Sequence, residues 1–330
     1  MKTKDRIYEM LKASGEEFVS GEKMAETLQV TRAGIWKAIR ALEKDGIGIE
    51  AVTNKGYRIK AFDNGTDPEL IEELLKKKGL EVKVFYYDET DSTNLRAKEL
   101  GSEYPGNLLV IAGKQTMGRG RKGRHFFSPG RTGIYMSFLL RNGESVKELS
   151  TLTANAAVAT ATAIDKEAFG GKDTVKIKWV NDLYLESRKV TGILAEGFAD
   201  IEGNGEFYVV TGIGINLYEP AGGFPEDIKD KAGSVEGCKG KLSSDSRNRI
   251  IADTVANIVY YHDTPAESLK IYKDKSNLIG SRVLINTFSS SGEKENALVT
   301  GIDDECHLLV RYDDGRTEAL SSGEVSVVKC

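Results

Sequence analysis

Only three cysteines and three histidines occur in this 330-residue chain, and neither set clusters. Cys238, Cys306 and Cys330 are odd in number and widely spaced, which argues against a disulfide framework and against a zinc site. His125, His262 and His307 are scattered, so a histidine metal cluster is not expected and each reads as a surface or packing residue. No apolar run approaches the length of a membrane span, and the amphipathic start MKTKDRIYEMLKASGEEF does not read as a signal peptide. A cytoplasmic protein without a membrane partner is expected. No long repeat or low-complexity tract is present, and the length calls for two or three domains.

Charge is nearly balanced, with a formal net of -4, yet Gly118-Arg119-Gly120-Arg121-Lys122-Gly123-Arg124 gathers four cations and three glycines into seven residues. Glycine lets backbone N–H groups approach a ligand closely, and arginine adds planar donor forks that match phosphate or carboxylate oxygens. The loop therefore reads as an anion site, with a solvated basic loop or an RNA-binding or nuclear-localisation patch as the plain alternatives. Two nucleotide motifs match its spacing and fail on context. The dinucleotide fingerprint has a plausible strand before it in Leu108 to Ala112, but His125 to Gly130 reads as extended chain and turn where a helix is required. The Walker spacing fails because Arg124 and His125 stand where Lys and Ser or Thr belong.

Helical spacing of Ile7, Met10 and Leu11, of Met24, Ala25 and Leu28, and of Ile35, Ile39 and Leu42 predicts three short helices. Thr31 is placed to cap the third. Strands at Ile49 to Val52 and Tyr57 to Ile59, joined by Asn54-Lys55-Gly56, complete a winged helix-turn-helix. In that fold the helix from Thr31 to Glu43 enters the major groove, with Arg32, Trp36, Lys37 and Arg40 outward. Residues 1–62 hold twelve Lys and Arg against nine Asp and Glu, a local excess of +3 that favours nucleic acid. Winged helices also serve as protein-interaction modules, and that reading stays open. The polar stretch Phe62 to Pro68 is a linker, with Pro68 in the first turn of the next helix. Residues 69–270 alternate helical stretches, such as Leu149 to Ala168 and Arg247 to Tyr261, with short strands. This suggests one mixed α/β or α+β domain. After Gly280, strands at Ser281 to Phe288, Ala297 to Ile302, His307 to Tyr312 and Glu324 to Val328, with a turn at Asp314-Gly315, suggest a small SH3-like barrel.

Four segments of the middle region carry chemistry. Asp91-Ser92-Thr93-Asn94 precedes a helical stretch and reads first as an N-cap. Lys114-Gln115-Thr116 leads into the basic loop. The run from Lys176 to Leu185 is a strand interrupted by an Asn181-Asp182 turn and followed by Lys189-Val190-Thr191-Gly192; a plain β-hairpin with a polar tip is the competing reading. Gly212-Ile213-Gly214-Ile215-Asn216 puts two glycines in a β run, where something must approach the backbone.

GRGRKGR followed by an aromatic and Ser-Pro, then KWVNDLYL, RKVTGILAE and GIGIN, resembles the biotin protein ligases. With the N-terminal winged helix, the whole chain is similar to the bifunctional ligases that also repress a biotin operon. The resemblance implies an α+β protein divided into a winged helix (1–62), a catalytic domain (67–272) akin to class II aminoacyl-tRNA synthetase and lipoate ligase cores, and an SH3-like unit (278–330). It implies ATP and biotin as substrates, Mg²⁺ on the triphosphate, biotinyl-5′-AMP as intermediate, and transfer to a lysine of a biotin carboxyl-carrier domain of acetyl-CoA carboxylase or a related carboxylase.

By the same resemblance Lys189 is the essential lysine, with Arg119 and Arg121 over biotin and adenylate and Arg124 on phosphates. Ser92, Thr93, Asn94 and Gln115 belong to the substrate pocket, with Gly118, Gly192, Gly212 and Gly214 leaving room for the ligand. Asn216 meets the adenine and Phe126 covers it, and Asn181 and Asp182 lie near the metal. Thr31, Arg32, Trp36, Lys37 and Arg40 are the operator-DNA contacts. Bound adenylate orders the glycine-rich loops and promotes a homodimer that binds a two-fold operator. Two positions depart from the family: Val180 stands where Pro is usual, and Phe126 where Trp is frequent. Two rivals remain: a biotin-responsive regulator without catalysis, and a ligase whose winged helix binds protein or nothing.

Overall fold

The computed structural model describes residues 3–14, 17–44, 49–53, 55–59, 65–141, 149–199, 207–243, 245–286, 294–321 and 324–327. Asn54 of the expected wing turn, Phe62 to Asn64 of the linker, Phe288, Val328 and Cys330 lie outside them. Cys238 and Cys306 form no disulfide.

The N-terminal unit is built as the periodicity predicts. Helices α1 (Thr3–Ala13), α2 (Gly21–Leu28) and α3 (Arg32–Lys44) precede β1 (Ile49–Val52) and β2 (Gly56–Ile59), which pair antiparallel. Ile7, Leu11, Met24, Leu28, Ile35 and Ile39 form its separate core. Thr31 Oγ1 accepts from Gly34 N at 3.1 Å, so the expected cap starts α3 by satisfying one of its open donors. Gln29, at φ 54°, turns the chain between α2 and α3.

The middle region is a seven-stranded mixed sheet in the order β3-β4-β5-β9-β8-β7-β6. Its strands are β3 (Lys83–Tyr87), β4 (Leu108–Ala112), β5 (Gly133–Leu140), β6 (Lys176–Lys178), β7 (Asp182–Leu185), β8 (Arg188–Ala199) and β9 (Phe207–Asn216). Only β3 and β4 run parallel. Alternation along the strands sends Ile134, Phe138, Ile213 and Ile215 to a core shared with helices α4 (Pro68–Lys77), α6 (Leu149–Phe169), α7 (Ser246–Asp263) and α8 (Pro265–Lys275). Alanine and threonine on nearly every face of α6 let it lie buried between the sheet and α7. The opposite face is covered by α5 (Thr93–Glu103) only where Leu108, Leu139, Tyr208 and Val210 meet Ala97. Farther along that face the side chains shrink to Gly212 and Gly214, and a cavity opens.

The C-terminal sheet, in the order β13-β12-β11-β10-β14, comprises β10 (Arg282–Asn286), β11 (Lys294–Ile302), β12 (Leu308–Tyr312), β13 (Thr317–Leu320) and β14 (Glu324–Val327), all antiparallel. The Asp314-Gly315 turn joins β12 and β13, with Gly315 at φ 90°. Strand β13 is an addition to the four expected; Thr317, Glu318 and Ala319 are exposed, so Thr-Glu-Ala-Leu carries no alternating apolar signal. The apolar cluster of this sheet is continuous with that of the central one. Tight contacts reinforce the junction: Trp179 Nε1 donates to Cys306 O at 2.9 Å, and Asn277 N to Ile177 O at 3.0 Å.

Candidate active site

The basic loop folds back on itself. Phe126 N donates to Gly118 O at 2.8 Å and Gly120 N to Arg124 O at 2.8 Å, while Arg119 and His125 bridge antiparallel. Its tip is a single 3₁₀ turn, Arg121–Gly123, in which Lys122 (φ 61°) and Gly123 (φ 71°) are left-handed. No helix follows, as the sequence predicts, so the dinucleotide fingerprint does not apply. The root is anchored beside the segment before α5: Thr116 N donates to Thr90 O and Met117 N to Asp91 O, each at 2.9 Å.

Beneath the loop, Gly192 of β8 and Gly214 of β9 are cross-strand partners, and the Phe126 ring lies on both. A Cβ on Gly214 would come within 2.4 Å of that ring, and one on Gly212 within 2.0 Å of Asn94 Oδ1. The glycines are thus required by what rests on the floor. Phe126 stands as a partition between a small pocket of ≈ 20 Å³ and a larger cavity of ≈ 520 Å³, with Arg119 and Gly192 touching both.

The small pocket is walled by a connected polar network. Thr93 N and Oγ1 donate to Gln115 Oε1 at 2.9 and 3.1 Å, Gln115 Nε2 donates to Ser128 Oγ at 3.0 Å, and Ser128 Oγ donates to Phe126 O at 2.9 Å. On the other side Ser137 Oγ lies 2.7 Å from Thr93 Oγ1 and 2.6 Å from Asn94 Oδ1, and Asn94 Nδ2 donates to Glu196 Oε2 at 2.7 Å. Ser92 occupies the N-cap position of α5 but its side chain caps nothing. Gln115 takes that role from a distant segment, and Asp91 Oδ1 holds Ser92 N at 2.7 Å. Gly118 lines neither space; a Cβ there would meet Phe126 O at 2.5 Å, so it serves the loop's close turn.

The larger cavity is lined by seven Lys and Arg side chains against two Asp, an excess that suits a polyanion. Lys189 Nζ lies 2.6 Å from Asp182 Oδ1, both partly exposed to the cavity. The main chain of Lys189 is held on both sides, its N donating to Lys231 O at 2.7 Å and its O accepting from Gly233 N at 2.9 Å. Arg121 Nη1 reaches Asn181 Oδ1 at 3.5 Å, and Asn181 Nδ2 donates to Ile193 O at 2.7 Å. Arg124 also lines this space, while Asn216 Nδ2 donates to Gly233 O at 3.0 Å. Burial, helped by Asp182, pushes the Tyr184 hydroxyl up to about 12, so it stays protonated beside the cavity.

The turn carrying Asn181 and Asp182 is fixed from behind. Tyr272, buried, donates its hydroxyl to Val180 O at 3.0 Å, and Trp179 reaches Cys306 O. Cys306 sits at φ 64° in a turn organised by Asp303, which accepts from Glu305 N and His307 N and pairs with the His307 ring at 3.0 Å. Val180 is buried, and the Trp179–Val180 peptide is cis.

Sequence reading did not single out Lys178, Phe224, Asp227, Ile228 or Lys231, all of which line the larger cavity. Segment 224–232 is a polar stretch without strand or helix periodicity, and only its contact with Lys189 reveals it.

In the winged unit Arg32 Nη2 pairs with Glu22 Oε1 at 2.5 Å, Lys37 is exposed, and the Arg40 guanidinium lies 5.4 Å from the centre of the Trp36 ring.

The description "Biotin/lipoate A/B protein ligase family" matches residues 84–216, an "HTH domain" matches 3–58, and "Biotin protein ligase C terminal domain" matches 278–328. The chain is 38% identical over 236 residues to the bifunctional ligase/repressor BirA of Bacillus spizizenii, covering 71% of each chain. It is 35% identical over 211 residues to BirA of Escherichia coli, covering 63% of this chain and 61% of that one. The biotin protein ligase of Aquifex aeolicus, solved in complex with biotin and ATP, superposes with a TM-score of 0.60 over 75% of this chain and 99% of that chain at 24% identity, a likeness of fold. Taken with the 38% identity across 71% of both chains, these matches mean that the protein belongs to the biotin protein ligases, among their bifunctional ligase/repressor members.

Proposed function

We propose that the chain is an ATP-dependent biotin protein ligase and a biotin operon repressor, divided at the boundaries expected from the sequence: 1–62, 67–272 and 278–330. The observation that carries the reading is the pairing of two spaces across Phe126: a small pocket with a satisfied polar wall, and a larger cationic cavity holding Lys189. The ureido ring of biotin needs a few fixed donors and acceptors in a confined site, which Ser92, Thr93, Asn94 and Gln115 supply. The triphosphate needs positive charge, which the arginines and Lys189 supply.

In the first half-reaction a biotin carboxylate oxygen attacks the α-phosphorus, the α–β bridging bond breaks, and pyrophosphate leaves with the electron pair. Two anions must meet, so catalysis depends on fixed cations where charge develops. Lys189 is the catalytic group, released from Asp182 to face the carboxylate and α-phosphate, with Arg119 and Arg121 closing over the intermediate. Arg124 holds phosphate, and Asn216 and Phe126 contact the adenine. Asn181 and Asp182 offer one amide oxygen and one carboxylate at the cavity, a donor set suited to Mg²⁺, which is commonly held by one or two carboxylates together with substrate phosphates. When bound, Mg²⁺ would neutralise charge on the triphosphate.

In the second half-reaction a lysine amine of the carboxyl-carrier domain of acetyl-CoA carboxylase or a related carboxylase attacks the acyl carbon and AMP leaves. The adenylate also acts as corepressor: ordering of the glycine-rich loop supports a homodimer that presents two winged helices to operator DNA. A cytoplasmic location follows from this chemistry. Incubation of the protein with biotin, MgATP and a carboxyl-carrier domain is expected to add one biotinyl group to one acceptor lysine by mass spectrometry. An acceptor of unchanged mass would exclude the transfer reaction.

A further inference from the structure

Trp36 is the most exposed of the large apolar side chains described, at 56%. Tryptophan is highly buried on average, so an indole held in water marks a surface that something else covers. Its setting says what. On α3 the residues facing solvent are Arg32, Ala33, Trp36, Lys37 and Arg40, while Ile35, Ala38, Ile39 and Leu42 are buried. That solvent face carries three cations, one methyl-sized residue and the indole, with Glu22 of α2 paired to Arg32 at its start. The Arg40 guanidinium lies 5.4 Å from the indole centre, one helical turn on, in a cation–π contact. An apolar edge set among cations is complementary to a polyanion that displays apolar groups at defined places.

The major groove of DNA is such a surface, because each A·T pair projects the thymine C5-methyl group among base edges flanked by phosphates. A recognition helix places its N-terminal residues against base edges, and Trp36 is the fifth residue of α3. We infer that Trp36 is the specificity-determining residue of the winged helix and reads the methyl group of one thymine in each half-site. This rests on the operator-binding part of the proposed function. Lys37 and Arg32 hold phosphates, which position without specifying. Ala33, one turn earlier, leaves the indole edge open to the base.

The test uses the full chain with biotin and MgATP. Duplexes enriched from a random pool serve as probes, and each thymine is replaced singly by deoxyuridine, which removes only the methyl group. At one thymine per half-site the replacement is expected to weaken binding about fourfold, the worth of one buried methyl group. With Trp36→Ala the same replacement should change nothing further, and selection should no longer enrich that thymine. Because Trp36 is exposed, alanine opens no cavity, and circular dichroism checks that the variant is folded. Lys37→Ala should instead weaken all duplexes evenly and reduce the salt slope by about one, leaving the methyl effect intact. Binding that is indifferent to every thymine methyl, or equally sensitive in Trp36→Ala, would overturn the inference while leaving DNA binding in place. Absence of any enriched duplex at low salt would overturn it together with the repressor reading.

Discussion

Lys189 Nζ sits 2.6 Å from Asp182 Oδ1 across the paired strands β7 and β8, so the cation proposed for catalysis is held by a carboxylate within the fold itself. The pair orients the lysine, and substrate anions compete with Asp182 for it. Lys189→Ala should lower adenylate formation by about a hundredfold or more, the usual cost of removing a preorganised group that meets developing charge. A coupled pyrophosphate assay reads it. Activity within a fewfold of wild type would exclude Lys189 from the chemistry.

Gly214→Ala tests the partition. The added methyl would lie 2.4 Å from the Phe126 ring, which must leave the sheet floor. Displacing the ring should raise the KM for both biotin and ATP by about tenfold or more, since both spaces share it. Steady-state rates with each substrate varied in turn would show the effect, and a loss confined to one substrate would contradict the shared wall.

The turn bearing Asn181 and Asp182 depends on groups far from it in sequence. Tyr272→Phe removes the hydroxyl from buried Val180 O and should destabilise the fold by about 1–3 kcal/mol. It should also lower kcat while the KM for biotin stays unchanged, because Asp182 shifts and the small pocket does not. Thermal melts with steady-state kinetics separate the two effects; an unchanged kcat would mean that Tyr272 supports the core alone.

Much of this was legible in the sequence, and the limits have physical causes. Thr31 as a cap, Leu108–Ala112 as a strand and the three-helix pattern depend on neighbours within one or two turns, so local chemistry decided them. The resemblance of the motifs pointed to Lys189, Asn181 and Asp182 together, and folding brings them to one cavity. The segment Asp91 to Asn94 read as an N-cap, yet the Ser92 side chain makes no cap bond, and the first N–H of the helix, that of Thr93, goes to Gln115, 22 residues beyond Thr93. Segment 224–232 and Tyr272 escaped notice because their roles are contacts with residues tens of positions away, which no period records. That the Phe126 ring also separates two pockets could not be read from the sequence, because it rests on glycines that only strand pairing aligns.

Acid stability should follow Asp253. It is buried, and burial alone would raise its carboxyl, but hydrogen bonds from Lys166 at 2.5 Å and Lys78 at 2.8 Å outweigh that and hold it below the ordinary 3.8. A carboxyl depressed in the fold contributes stability above its unfolded value and loses it as pH falls through the folded one. The melting temperature should therefore drop below about pH 4, and Asp253→Asn should flatten that limb while lowering stability near neutrality. An identical acid limb in the variant would assign the loss to other carboxylates.

The most direct test of the ligase assignment is the first half-reaction alone. The full chain is mixed with biotin and MgATP without acceptor, and pyrophosphate and biotinyl-5′-AMP are quantified together. Stoichiometric formation of both by the wild type, abolished in Lys189→Ala, is expected. Tight biotin binding with neither product formed would contradict it and leave a biotin-responsive regulator without catalysis.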